Sequence, residues 1–182
     1  MADLDEPVHV VAAVPEWLDQ GRELTRDVGR LVEPESAAAV VAHIGSTAVP
    51  GLDAKSIIDL QVGCRGSEVP AVVAALRRAG YDHLGTAGVP GREYLRRRDE
   101  PPINVHVVER DGSLWRDNIL FRDYLTAHPA AADRYAAAKR EAARRAPSLL
   151  AYSAAKAAVV ADLMAAAHTH AANPCPSCHG GQ

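Results

Sequence analysis

From Pro15 onward, Trp17, Leu18, Leu24, Val28, Leu31 and Val32 recur at helical spacing until Pro34 stops the pattern. This predicts a helix opened by a proline, whose missing N–H costs nothing there. Ala37 to Ile44 is a short apolar run ending at Gly45 and predicts a buried strand. Ser56 to Gly63 alternates, placing Ile58, Leu60 and Val62 on one face and Asp59 and Gln61 on the other. Ser67 is the expected N-cap of a helix through Val72, Val73, Leu76 and Ala79, closed by Gly80. Past a Gly- and Pro-rich loop, Arg92 to Arg97 and Ile103 to Val108 predict two more strands. In the second, Asn104 and His106 share a face opposite Ile103, Val105 and Val107. Helical patterns then cover about 113–127, 129–146 and 148–168, separated by His128-Pro129 and Pro147-Ser148. The order predicts an α/β (α+β) domain: a mixed sheet packed with helices, and a C-terminal helical segment.

Composition sets the limits of this picture. At 182 residues, 48% hydrophobic and 24% charged, the chain has the length of one domain and enough apolar surface to fold. Residues 1–172 are the expected domain, and 173–182 a Pro- and Gly-containing tail. With aromatics at 4%, the core must be built from Val, Leu, Ile and Ala. A net charge of -3 gives no electrostatic reason to expect nucleic acid or an anionic membrane as partner. The N-terminus lacks the pattern of a signal peptide, and the apolar stretch Leu149–Ala167 is broken by Lys156 and Asp162. The expected address is the cytoplasm, with no membrane partner. Three cysteines, Cys64, Cys175 and Cys178, do not make a disulfide framework. Cys175-Pro-Ser-Cys178-His179 has haem-attachment spacing and two thiolates that suit zinc. At a flexible terminus without an export signal, neither haem nor zinc is expected there.

The chemistry concentrates in His43-Ile-Gly-Ser-Thr-Ala-Val-Pro-Gly-Leu-Asp-Ala-Lys-Ser-Ile-Ile-Asp-Leu-Gln-Val62. Gly45 lets a ligand approach the backbone closely, and Ser46 and Thr47 can hold a phosphate or another anion. Lys55 adds a point charge, and Asp59 can hold a divalent cation bridging to that phosphate. The plainer alternative is a tight turn, with Asp59 capping or pairing. Asp59, Gln61, Asn104 and His106 occupy alternate strand positions and can face one cleft, with Ser46 and Lys55 at its rim and Arg92 and Tyr94 beside it. His106 would serve as acid or base near neutral pH; the alternative is a satisfied polar face under the C-terminal helices. Arg122, Lys139 and Lys156 are either ion pairs to the sheet or anion ligands, with Asp123 pairing a neighbour of Arg122 or Lys139. Arg96-Arg97-Arg98 reads as a solvated strand end.

The run HIGSTAVPGLDAKSIIDLQV resembles the signature of the GrpB family. The resemblance continues through Arg92 with Tyr94, Asn104-Val-His106, Phe121-Arg-Asp-Tyr-Leu125 with His128-Pro129, Tyr135 with Lys139, and Tyr152 with Lys156, covering about Val10 to Ala167. It implies a nucleotidyltransferase-like fold. A similar domain is attached to some actinobacterial dephospho-CoA kinases, but no Gly-Lys-Ser or Gly-Lys-Thr phosphate loop precedes it here, so that kinase activity is not expected. The superfamily pairs a Gly-Ser turn with two acids flanking one hydrophobic residue. Gly45-Ser46 and Asp59 fit that pattern, whereas Gln61 replaces the second acid, and the later strand offers Asn104 and His106 in place of a third. A neutral amide is a poorer ligand for a cation pair. The resulting expectation is a transferase that acts on or binds a small phosphate- or carboxylate-bearing ligand, a nucleotide among the candidates. Asp59 and His106 would be catalytic, with Asp59 as ligand to Mg²⁺. Gly45, Ser46, Thr47, Lys55, Gln61, Arg92, Tyr94 and Asn104 would bind substrate. The alternative is a non-catalytic ligand-binding or protein-docking module with a degenerate site.

Overall fold

The protein is described by a computed structural model over residues 8–146 and 148–173. The expected tail residues Cys175, Cys178 and His179 lie outside the described residues. Helix α1 (Glu16–Val32) leads into β1 (Val40–Ile44), a one-turn 3-10 helix at Ser46–Ala48, and β2 (Ile58–Cys64). Helix α2 (Val69–Arg78), β3 (Asp82–His83), β4 (Arg92–Arg97) and β5 (Ile103–Glu109) follow. The chain then continues as α3 (Ser113–Ala127), α4 (Pro129–Arg145) and α5 (Leu149–Ala172). The strands form one sheet in the order β1-β2-β5-β4-β3. Only the central pair β2–β5 is parallel among the described strands, so the sheet is mixed as expected.

Period-two alternation divides the sheet into two chemically distinct faces. Ile58, Leu60, Val62, Leu95, Val105 and Val107 point to one side and pack with Trp17, Leu24, Val28 and Val32 of α1 and Val72 and Leu76 of α2. Each such fully buried aliphatic side chain stabilises the fold by roughly 1.5–3 kcal/mol. The opposite face carries Asp59, Gln61, Tyr94, Asn104 and His106 and lies beneath the C-terminal helices. Those helices have their own apolar cluster, in which Leu125, Tyr135, Ala136 and Leu163 meet Val49 and Leu52 from the segment after the Gly-Ser turn.

Several expectations shift. The first strand begins at Val40, not Ala37, because Ser36 to Ala39 form a turn. Ser67 does not cap α2: it lies in the 3-10 turn Gly66–Glu68, closed by Glu68 reaching back to the Arg65 N–H, and α2 starts at Val69. The two-residue strand β3 was too short to show a pattern. Arg96-Arg97-Arg98 is not a solvated end. Arg96 is buried, the Arg97 guanidinium lies 5.0 Å over the Tyr81 ring, and Arg98 donates to Asn104 Oδ1 and the Ile103 carbonyl. Helix α5 has the length and composition to cross a bilayer. Lys156 and Asp162 interrupt its hydropathy less than expected, since the alanines around them hold the mean hydropathy of an 18-residue window at 1.5. Tyr152, Leu163 and Ala167 of this helix are buried.

Candidate functional site

The turn between β1 and β2 is shaped by a contact that excludes any side chain at position 45. Gly45 adopts φ 72°, and a Cβ there would sit 2.7 Å from Asp59 Oδ2. Ile44 pairs with Asp59 across β1 and β2, so the chain must bend directly over the carboxylate. Ser46 follows, and Lys139 of α4 reaches its hydroxyl: Nζ donates to Ser46 Oγ at 2.9 Å and to the Asp53 carbonyl. Lys139 is 1% exposed. Its Nζ lies 4.6 Å from the Tyr135 ring centroid. Lys156 of α5 lies 4.9 Å from the Tyr152 ring centroid and donates to the Tyr135 hydroxyl at 3.4 Å. Burial, helped by the Lys156 charge, pushes the Lys139 ammonium down to about 7.

These groups line a cavity of about 600 Å³ between the polar sheet face and α3, α4 and α5. The structure brings most of the expected residues to its wall: Gly45, Ser46, Thr47, Lys55, Asp59, Arg92, Tyr94, Asn104 and His106. Gln61 is a correction, because it is completely buried and does not reach the cavity. Its Nε2 donates to the Trp115 carbonyl at 3.2 Å and its Oε1 accepts from Asn118 Nδ2 at 2.6 Å, so both ends of the amide tie β2 to α3.

Within the wall the roles separate. Asn104 is a hub: its oxygen accepts from Tyr94 Oη at 2.7 Å and from Arg98 at 3.0 Å, and its Nδ2 donates to Asp59 Oδ1 at 2.7 Å. Both Tyr94 and Asn104 are largely buried in the cavity wall, where Asn104 positions Asp59 and Tyr94 orients Asn104. His106 Nε2 lies 3.6 Å from Asp59 Oδ1, while Nδ1 faces Arg92 at 3.4 Å. Because a guanidinium only donates, Nδ1 is the acceptor and the proton sits on Nε2 toward the carboxylate. Burial alone would raise the Asp59 carboxyl, but His106, Lys55 and Asn104 hold it down at about 2. Arg92 also donates to the carbonyls of Thr86 and Ala87, fixing the loop beside the cavity. Thr47 is buried with its hydroxyl 3.0 Å from His43 Nε2, and burial pushes that imidazole down to about 4.

The sequence admits both ion pairs and anion ligands for the C-terminal cations. Lys139 and Lys156 line the cavity, whereas Asp123 pairs with the adjacent Arg122 at 2.7 Å and not with Lys139. The repeated Tyr-x-x-x-Lys spacing, Tyr135 to Lys139 and Tyr152 to Lys156, was the available signal, since residues four apart share a helical face. Nothing comparable marked Asn118 or the Trp115 carbonyl as partners of Gln61. Five basic side chains in the described structure line the cavity (Lys55, Arg92, Arg122, Lys139 and Lys156), against the single carboxylate of Asp59.

Comparison with known proteins bears on this arrangement. The chain is 32% identical over 142 residues to the UPF0157 protein YqkA of Bacillus subtilis, covering 77% of this chain and 41% of that protein. It is 34% identical over 173 residues to a dephospho-CoA kinase of Mycobacterium tuberculosis, covering 80% of this chain and 42% of the kinase. The chain therefore spans less than half the length of either relative. The crystal structure of the conserved protein GrpB from Enterococcus faecalis superposes with a TM-score of 0.78 at 30% identity, covering 90% of this chain and 99% of that one. The Cid1 poly(U) polymerase superposes with a TM-score of 0.54 at 12% identity, covering 75% of this chain and 44% of the polymerase, a likeness of fold alone. The fold is thus nucleotidyltransferase-like. Residues 7–166 match the GrpB protein family, and the chain belongs to that family.

Proposed function

We propose that the cavity binds a small phosphate-bearing molecule, a nucleotide being the ligand that would use both halves of it. The observation that carries this is Lys139 held on Ser46 Oγ at 2.9 Å inside a cavity that Lys156 also lines. An ammonium that is 1% exposed, donating to neutral oxygens and set against an aromatic face, is costly to keep, and an anion arriving beside it offsets that cost. Phe121, Tyr135, Val160 and Met164 give the same cavity an apolar wall suited to a ring.

A second reading, group transfer, is favoured by one contact. His106 and Asp59 meet at 3.6 Å on the cavity wall, close enough for the carboxylate to steady an imidazole that takes up a proton. Against it, both imidazole nitrogens already face protein groups.

Calorimetric titration of a panel of nucleotides and coenzymes tests the first reading. At least one member should bind, and Lys156→Ala should weaken it roughly tenfold or more, as expected for a lost charge-assisted hydrogen bond. Equal binding by the variant, or no binding by the wild type, would refute it. Release of pyrophosphate from a nucleoside triphosphate, abolished by Asp59→Ala, would establish transfer; tight binding without turnover would leave a binding module.

A further inference from the structure

We infer that Ser46 and Lys139 form a nucleophile–base pair that takes an acyl group from a neutral ester, an activity distinct from the anion binding proposed above and independent of it.

The pair has the geometry that such chemistry needs. Lys139 Nζ lies 2.9 Å from Ser46 Oγ, within reach of proton transfer, and the Asp53 carbonyl accepts from the same nitrogen and fixes its position. Gly45 turns the chain at the end of β1 with φ 72°, which brings Ser46 to the cavity wall half-buried, whereas Lys139 is 1% exposed. The hydroxyl is therefore the group that meets a substrate, and the amine serves it from within. Thr47, next in the chain, is buried against His43 and offers no such hydroxyl.

The surroundings favour an amine that can lose its proton. The Asp53 carboxylate pairs with Arg140 of α4 and not with Lys139. Burial, then the charges of Lys156 on α5 and Arg140, drive the proton off Nζ; the carboxylates of Asp53 and Asp59 oppose them, and the group titrates at about 7. The unprotonated amine takes the Ser46 proton as Oγ bonds the carbonyl carbon of the ester. Collapse of the tetrahedral intermediate breaks the ester C–O bond, and the leaving alkoxide recovers the proton from Nζ. Water attacks acyl-Ser46 by the same route and releases the carboxylic acid. Lys156, on the wall of the same cavity, is the cation assigned to the oxyanion, and Phe121, Val160 and Met164 give the acyl chain an apolar surface. The ester is neutral because an anion beside Nζ would hold the proton there and disable the base.

The test follows nitrophenolate release from p-nitrophenyl butyrate by the full chain, with Ser46→Ala as the blank, and maps acid-quenched samples by peptide mass for butyryl-Ser46. Release above the blank is expected, rising about tenfold per pH unit up to about 7 and levelling above it. Lys139→Met with unchanged circular dichroism should be slower by about a hundredfold or more. Equal release by Ser46→Ala, or a rate that keeps climbing in alkali as hydroxide attack does, would overturn the inference. A folded Lys139→Met as fast as wild type would overturn it too. If that variant does not fold, the wild-type pH profile decides alone.

Discussion

Asn104 donates its side-chain amide to Asp59 Oδ1 at 2.7 Å across β5 and β2, where the parallel register sets the two residues side by side. A neutral amide thus occupies the place from which a second carboxylate would repel Asp59, and the bond helps to hold the Asp59 carboxyl well below its usual range. The polar sheet face is therefore wired around one negative charge.

Removing the hub should be expensive. Asn104→Ala leaves the Tyr94 hydroxyl and Arg98 without their shared acceptor in a buried place. A loss of about 2–3 kcal/mol in urea-unfolding stability is expected. The Asp59 carboxyl should also titrate at higher pH, as read by NMR. A loss under about 0.5 kcal/mol would mean that the network does not hold the sheet face together.

Two glycines with similar backbones separate strain from overlap. Gly45 and Gly51 have φ 72° and 74°, but a Cβ at Gly51 meets nothing, whereas at Gly45 it strikes Asp59. Gly51→Ala should cost about 1 kcal/mol, the ordinary left-handed penalty. Gly45→Ala should cost at least twice that and weaken ligand binding. Equal thermal shifts for the two variants would show that the close approach to Asp59 is unimportant.

Restoring an acid at position 61 should not restore a metal site. Gln61→Glu places a charge in a fully buried spot and sets a carboxylate against the Trp115 carbonyl that the amide now satisfies. Stability at pH 7 should fall by about 2–4 kcal/mol, with no new Mg²⁺ affinity by calorimetry. A variant as stable as the wild type that binds Mg²⁺ would contradict the anchoring role of Gln61.

Lys139 links stability to pH with a definite sign. Its folded-state value of about 7 lies below the usual 10.5, so between these the unfolded chain holds the proton and the folded chain releases it. The cost of burying the charged form is complete below pH 7 and declines as pH rises toward 10.5. Lys139→Met should therefore melt a few degrees higher than wild type at pH 6, with a smaller gap at pH 9, while losing anion binding. A variant less stable at pH 6 than at pH 9, relative to wild type, would reverse the assigned sign.

Much of the fold was visible in the chain because its signals are local. The strand Arg92–Arg97 and the helix Ser113–Ala127 have the boundaries that their patterns predict, and alternation separates Ile58, Leu60 and Val62, which the fold places in the core, from Asp59 and Gln61 on the other face. The Gly-Ser turn, too, is a short-range signal. The arginines at 96–98 misled because a run of charges in sequence says nothing about Tyr81 or Asn104, which reach them only after folding.

The order of the elements, the apolar face of the sheet and the polar residues along β2 and β5 follow from the sequence, since periodicity and turn chemistry act over a few residues. Which of those polar groups remain open to a ligand was decided by tertiary contacts. Helix α3 covers Gln61, Asn104 is consumed by Tyr94, Arg98 and Asp59, and Lys139 crosses 93 residues of chain to reach Ser46. A side chain's hydrogen-bond capacity is a property of its type, but whether that capacity is already spent depends on neighbours that only packing supplies.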